Sequence, residues 1–336
     1  MAITPVADEA GPQSRSAIDP AAIKAGVIGL GLMGRSVATC LLAAGHPVIA
    51  VTRRLEREAT VRSEVEALLR QMSAQGILRT SPETILPKLV ISGDHSALGK
   101  CQVVVESIIE DLDAKHEVLR RVEAAVSPTC LIGSNTSAIP VTRLQEGARN
   151  PERILGIHWA EPAHVTRFLE VICGAASAPK FAEYALRLAT VWGKEPTLVR
   201  RDIPGFIANR LMYAMIREAF YLVEAGYATP ADIDRSVRND MGWWLTLAGP
   251  FRFMDLTGIP AYAAVMRDLL PELSRSTEVP DLMRRVVASG ATGVSNAQGF
   301  YEYTPEQARR WEETFLKFTY EIRTLAMKYP AELPAS

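Results

Sequence analysis

His158 and Glu170 stand at either end of a pseudo-symmetric stretch centred on His164, in GIHWAEPAHVTRFLEVI. If EPAHVTR is a turn between two antiparallel strands, their side chains face each other across the pair and can share a hydrogen bond. A histidine held by a carboxylate has the geometry and the tunable charge of a general acid/base near neutral pH. Taken alone, such a pair is more often structural than catalytic, and both readings stand at this point.

A second chemical signal is VIGLGLMGRS, where Gly29, Gly31 and Gly34 take the GxGxxG spacing around Leu32 and Met33. Glycines there tighten the turn and let the backbone approach a pyrophosphate, which the free N–H groups of the following helix can bind. A chance glycine turn is the bland alternative, but strand, glycines, helix and second strand follow in the order a dinucleotide site requires. The second strand, HPVIAVTRR, ends in Thr52, Arg53 and Arg54, with no carboxylate for the ribose 2′-hydroxyl of NAD. Guanidinium groups suit a 2′-phosphate, so NADP is favoured over NAD. Alternatively, both arginines are merely solvated.

VVVESIIEDLDAK carries Glu106 and Glu110 at the end of a third strand, and LIGSNTSAIP ends a fourth in Ser134, Asn135, Thr136 and Ser137. Ligands in open α/β sheets lie off such strand ends, although a helix cap would also use SNTS. Asn209, in PGFIANRL at the start of the first long helix, is expected to be able to lean over the same cleft from a second domain.

These residues need a scaffold of strands and helices. From Lys24 to Glu170 short apolar runs alternate with amphipathic stretches, the rhythm of a Rossmann-type doubly wound α/β domain with a largely parallel sheet. LEREATVRSEVEALLRQMSAQGIL interrupts it, with an apolar seam of Leu68, Leu69, Met72 and Leu78 that predicts a helical hairpin projecting from the sheet at about 54–86. Beyond Pro204 the pattern is helical: one helix ends at Gly226, another starts at Thr229-Pro230, and Thr304 with Gln307 has the spacing of a capping box. Three segments result: a flexible tail over 1–22, an α/β domain over 23–203 and an all-α domain over 204–336.

The chain has 336 residues, 48% of them hydrophobic, enough for two domains. Its 37 lysines and arginines nearly balance 38 aspartates and glutamates, which gives no field to attract nucleic acid or an anionic membrane. Cys40, Cys101, Cys130 and Cys173 are dispersed, without the spacing of a zinc site or a disulfide framework, so no metal is expected and a reducing cytoplasm fits. The first residues lack the basic start and apolar core of a signal peptide, and no apolar run approaches the roughly 20 residues of a membrane span.

The ordered set GLGLMG, VVVESIIED with Lys115, SNTSAI, HWAEP, FLEVI, DIPGFIANRL, AGPFRFMDLTG and GFYEY resembles the 3-hydroxyacyl-CoA dehydrogenases over roughly Gly26 to Tyr303. The resemblance implies an oxidoreductase of fatty-acid metabolism. His158 would take the proton of a substrate 3-hydroxyl and Glu170 would orient the ring. Ser137 and Asn209 would hold substrate oxygens, and Glu110, Lys115 and Asn135 would contact the cofactor. It further implies coenzyme A contacts on the hairpin and a homodimer through the α domain.

Three departures qualify the substrate. HWAEP replaces the family's usual HFFNP and puts Glu161 where a substrate-side asparagine is common, expected to raise the pKa of His158 or to match a cationic or hydroxylated substrate. Thr52-Arg53-Arg54 replaces the ribose-binding acid. GVSNAQGFYEY lacks the basic residues that commonly precede the last motif, and a helical extension follows from about Thr304. A close alternative is therefore a small non-CoA alcohol, hydroxy acid or aldehyde selected by Glu161; basic residues such as Arg57, Arg62 or Arg70 at the pocket mouth would favour CoA. A dinucleotide-binding protein without turnover is a remote alternative, since it would not need His158, Glu170, Ser137 and Asn209 together.

Overall fold

The strands run β1 (Ala25–Ile28), β2 (Val48–Val51), β3 (Leu89–Ser92), β4 (Val103–Glu106), β5 (Leu131–Ser134), β6 (Ile154–Trp159), β7 (Phe168–Cys173) and β8 (Glu195–Val199). They form one sheet in the order β3-β2-β1-β4-β5-β6-β7-β8. Every neighbouring pair is parallel except β6 and β7. The structure, a computed structural model, describes residues 18–329. The described residues divide into two units, with the boundary between Asp202 and Ile203. The predicted tail falls mostly outside the described residues, but Pro20–Ala22 already form a 3-10 turn capped by the Asp19 carboxylate, 3.0 Å from Ala21 N.

β1, β4, β5 and β6 are buried along their whole length, as continuous Val/Ile/Leu runs demand when helices cover both faces. On one face lie α1 (Leu32–Ala43), α2 (Glu58–Ala74) and, after the single turn α3 (Pro82–Ile85), residues of α6 (Pro179–Val191). The other face carries α4 (Leu112–Ala125) and the short α5 (Val141–Leu144).

The excursion after β2 holds the long helix α2 and, after a turn, the short α3 packed back on it; the buried stripe of α2 is Val61, Val65, Leu69 and Met72. Val61, Val65 and Leu69 join Val37, Ala38 and Leu41 of α1 in one core, so α2 lies against α1. Leu68 and Leu78 are only half-buried, because the valines share the helical face of Leu69 and Met72 at i, i+4 spacing.

The second unit is helical: α7 (Ala208–Glu224), α8 (Pro230–Asn239), α9 (Met241–Leu245), α10 (Pro250–Thr257), α11 (Ile259–Leu269), α12 (Asp281–Ala288) and α13 (Pro305–Lys328). Thr229 with Asp232 and Thr304 with Gln307 form capping boxes that start α8 and α13. Gly226, at φ +79°, follows the end of α7 in the left-handed region that glycine favours. Among the described residues of this unit, only Phe206, Ala248, Ala308 and Tyr320 are almost fully buried.

Candidate active site

The turn between β1 and α1 explains its glycines one by one. Gly29 has φ +86°, and a Cβ there would fall 2.4 Å from the Ser107 carbonyl oxygen. A Cβ on Gly34 would lie 1.8 Å from the Gly29 carbonyl oxygen, so helix and turn can close only over hydrogen. At Gly31 a Cβ would meet nothing within 4 Å. That open space fronts the first turn of α1, where Leu32 is exposed and Met33 half-buried, and it leaves room for an anion at the helix N-terminus.

At the end of β2, Thr52 N–H donates to Ser92 O (3.0 Å) and its hydroxyl accepts from Arg54 N–H (3.1 Å). Thr52 thus shapes the turn that presents Arg53 and Arg54, both exposed. Among the described residues no carboxylate lies within ion-pair distance of either guanidinium.

The ends of β4 and β5 are tied together from inside. Lys115 Nζ, fully buried, donates to both oxygens of Glu106 (2.8 and 3.0 Å), and Glu106 Oε2 also accepts from Ser134 Oγ (2.5 Å). The same ammonium lies 3.4 Å from Glu110 Oε2. Glu110 Oε1 accepts from Thr136 Oγ1 (2.5 Å) and from the N–H groups of Ser137 (3.0 Å), Ala138 (3.0 Å) and Ile139 (3.4 Å). Burial pushes the Glu110 carboxyl up, but the Thr136 hydroxyl, Lys115 and these amides outweigh it and hold it below the usual carboxylate range. Ser137 itself is exposed on the loop so held. Lys115, read from the sequence as a cofactor contact, stands behind Glu110 with no exposed surface. Asn135 Oδ1 accepts from Trp159 N–H (3.0 Å) and its Nδ2 donates to Ser107 Oγ (3.2 Å), which links the loops after β4 and β5 to β6.

β6 and β7 pair with His158 directly opposite Glu170. His158 Nδ1 lies 2.8 Å from Glu170 Oε2, with the two residues 6% and 1% exposed. An ionised Glu170 places the ring hydrogen on Nδ1 and leaves Nε2 with a lone pair. Phe168 meets the ring edge-on at 5.4 Å.

The loop between β6 and β7 carries the exposed Glu161, whose carboxyl is raised by partial burial against the opposing pulls of Ala163 N–H and Arg35. Three residues that sequence reasoning passed over fix this loop. Ser36 Oγ on α1 accepts from His164 N–H (3.1 Å) and lies 2.8 Å from His164 Nδ1. Lys194, 5% exposed, donates to the carbonyl oxygens of Ala163 and Thr166 and sits 4.9 Å from the centre of the Trp159 ring. Burial, helped by Lys194, pushes the His164 pKa down to about 4. A lysine so enclosed carries no local sequence signal. Asn209 belongs to the second unit, half-buried in the first turn of α7.

A glycine turn at the C-terminal end of β1, an open helix N-terminus and polar loops at the ends of the adjoining parallel strands define a dinucleotide-binding α/β protein of the dehydrogenase type. Residues 24–203 match the family model for the 3-hydroxyacyl-CoA dehydrogenase NAD-binding domain, and residues 205–303 match that for its C-terminal domain. The chain belongs to the 3-hydroxyacyl-CoA dehydrogenase family.

Its relatives include the 5-formyl-3-hydroxy-2-methylpyridine 4-carboxylate 5-dehydrogenase of Mesorhizobium japonicum, 32% identical over 84% of this chain and 91% of the relative. A probable 3-hydroxybutyryl-CoA dehydrogenase of Deinococcus radiodurans is 30% identical over 84% of this chain and the whole relative. Among solved structures, a 5-formyl-3-hydroxy-2-methylpyridine 4-carboxylic acid 5-dehydrogenase, described as an NAD+-dependent dismutase, superposes with a TM-score of 0.84 at 29% identity, covering 91% of this chain and 99% of its own. The (S)-3-hydroxybutyryl-CoA dehydrogenase of Ralstonia eutropha gives 0.70 at 27% identity, covering 84% and 99%. Among the described residues there is no cluster of three metal-ligating side chains, and no helix is long and apolar enough to cross a membrane.

Proposed function

We propose that the chain is a nicotinamide-dependent dehydrogenase in which His158 moves the proton of a substrate hydroxyl or carbonyl oxygen and Glu170 holds the ring for that task. The 2.8 Å contact between His158 Nδ1 and Glu170 carries this reading, because it fixes the tautomer that leaves Nε2 able to accept a proton. Gly29, Gly31, Leu32, Met33 and Gly34 would hold the pyrophosphate, with Asn135 and the Glu110-held loop beside it. A nicotinamide dinucleotide bound there supplies the hydride acceptor for oxidation and the donor for reduction. As the hydroxyl is oxidised, its proton passes to His158 Nε2, and Glu170 stabilises the imidazolium; reduction returns the proton. Ser137 and Asn209 would hold the substrate oxygens. Arg53 and Arg54 favour NADP over NAD.

For the substrate we favour a small non-CoA hydroxy compound or aldehyde over an acyl-CoA thioester. The arginines that would receive CoA phosphates are already engaged: Arg57 with Glu64 (3.8 Å), Arg62 with Glu58 (3.1 Å), and Arg70 with Glu66 (2.7 Å) and Glu83 (3.1 Å). α2 holds three glutamates against two arginines, a poor face for a polyanion. Glu161 on the loop and the likeness to a pyridine-aldehyde dehydrogenase point the same way. The family as a whole supports the CoA reading.

The deciding measurement follows nicotinamide absorbance with acetoacetyl-CoA and with a panel of small aromatic aldehydes and alcohols, each with NADPH and NADH. A higher kcat/KM for a small substrate supports the proposal, and a higher value for acetoacetyl-CoA overturns its substrate part. No turnover in any arm, with cofactor still bound, would leave a binding protein. We also infer a homodimer through the second unit, where Leu211, Met212 and Tyr213 of α7 are exposed, and a reducing compartment, since all four cysteines are free thiols.

A further inference from the structure

α13 lies beyond the family's C-terminal match, which ends at residue 303. Along it Trp311, Phe315, Phe318, Ile322 and Leu325 recur at alternating steps of four and three, and Tyr329 continues the series just past its end. That is a 3.5-residue period, the seam of a two-helix coil rather than the broader stripe of a helix lying on a globular core. The helix already buries another flank: Ala308 and Tyr320 are almost fully covered, and Leu316, Arg323 and Ala326 are half-covered. Most of the seam is left out, with Trp311 55%, Phe315 59%, Phe318 57%, Leu325 48% and Tyr329 51% exposed and only Ile322 half-covered.

We infer that this seam is covered by the same helix of a second copy, running antiparallel, with Phe318 at the two-fold axis. The inference rests on the homodimer reading and names its contact surface. A two-fold axis brings one patch against itself, so a self-complementary seam meets its condition. Direction follows from charge. Pro305–Thr314 carries Glu306, Glu312 and Glu313 against Arg309 and Arg310, while Phe315–Lys328 carries Lys317, Arg323 and Lys328 against Glu321. An antiparallel pair sets the net acidic half beside the net basic half, with Glu313 level with Arg323; a parallel pair sets basic beside basic.

The area is adequate. Aromatic side chains bury about 150–250 Å² each, so half-exposed side chains of this size offer on the order of 500 Å² per copy, reaching the roughly 1,000 Å² of a specific interface before any other contact is counted. With Phe318 on the axis, Trp311 faces Leu325 of the other copy and Phe315 faces Ile322.

The test is sedimentation of the full chain together with thiol crosslinking by a short bismaleimide, the unsubstituted protein serving as the blank for half-buried Cys173. We expect a dimer at micromolar concentration, self-crosslinking of Phe318→Cys but not of Trp311→Cys, and a dimer dissociation constant raised at least about 100-fold by Phe315→Glu with circular dichroism unchanged. Crosslinking at position 311 overturns the antiparallel register. A dimer that withstands Phe315→Glu and crosslinks at neither position overturns the seam while leaving the homodimer standing. A monomeric wild-type chain overturns both.

Discussion

Lys115 stands behind Glu110, its buried ammonium 3.4 Å from one carboxylate oxygen while the other gathers the hydroxyl of Thr136 and three backbone amides of the loop after β5. Ser137 therefore owes its place to a carboxylate outside its own strand. Glu110→Gln keeps the shape but weakens these charge-assisted bonds. It should lower kcat/KM about tenfold and cost about 1–3 kcal/mol of stability. Lys115→Met, which leaves Glu106 buried and uncompensated, should cost more, about 3–5 kcal/mol. Denaturant unfolding of both variants checks the order, and a milder Lys115→Met would mean that the buried charge is not held by this pair.

Replacing His158 by Gln should leave cofactor affinity nearly unchanged and reduce kcat by roughly 100-fold or more. Glu170→Gln should fall between that variant and wild type, because the ring remains while its orientation and charge stabilisation are lost. Unchanged turnover in His158→Gln would remove the pair from the chemistry.

Arg53→Asp should move the kcat/KM preference from NADPH toward NADH by roughly tenfold or more, since it trades a phosphate partner for a ribose-hydroxyl acceptor and repels the 2′-phosphate. A preference that does not move would make the arginines plain solvated residues.

Gly34→Ala sets a methyl 1.8 Å from the Gly29 carbonyl oxygen and cannot be absorbed by a side-chain rotation. Cofactor affinity by titration should fall at least tenfold. Gly31→Ala, with nothing within 4 Å, should fold with near-normal stability and lose affinity only if the ligand occupies that space.

His164 should make stability fall in mild acid. Its pKa is about 4 when folded and about 6.5 when unfolded, so the unfolded chain binds the extra proton in between. The stabilisation is complete above about pH 6.5 and is lost as pH drops toward 4, a change of about 2–3 kcal/mol. His46, also lowered by burial, adds in the same direction. Thermal unfolding from pH 7 to 4 should show a steep decline that is shallower in His164→Asn; parallel curves would assign the decline elsewhere.

The parts legible in the sequence were those with local periodicity or fixed spacing. The pseudo-symmetry around His164 foretold the register that sets His158 against Glu170, and the glycine spacing foretold a turn where two of three glycines admit no Cβ. The seam of α2 was legible only in part, because Leu68 and Leu78 are as apolar as Leu69 and hydropathy alone could not say which flank meets α1. Lys194 and His164 were not legible, since their partners are backbone carbonyls and a serine more than a hundred residues upstream of the histidine, brought together only by the folded sheet. β8, EPTLV, is a five-residue strand with only Val199 buried, too brief and too polar to stand out.

β7 is bonded along its length on both sides, antiparallel to β6 and parallel to β8, so Glu170 sits on a strand with no open edge. Amide protons there should be among the slowest in the chain to exchange with solvent. The residues that would choose the substrate, Ser137 and Glu161, stand instead on exposed loops. Such a division would let substitutions in two short loops change what the protein accepts while the proposed proton-handling pair stays fixed by the sheet.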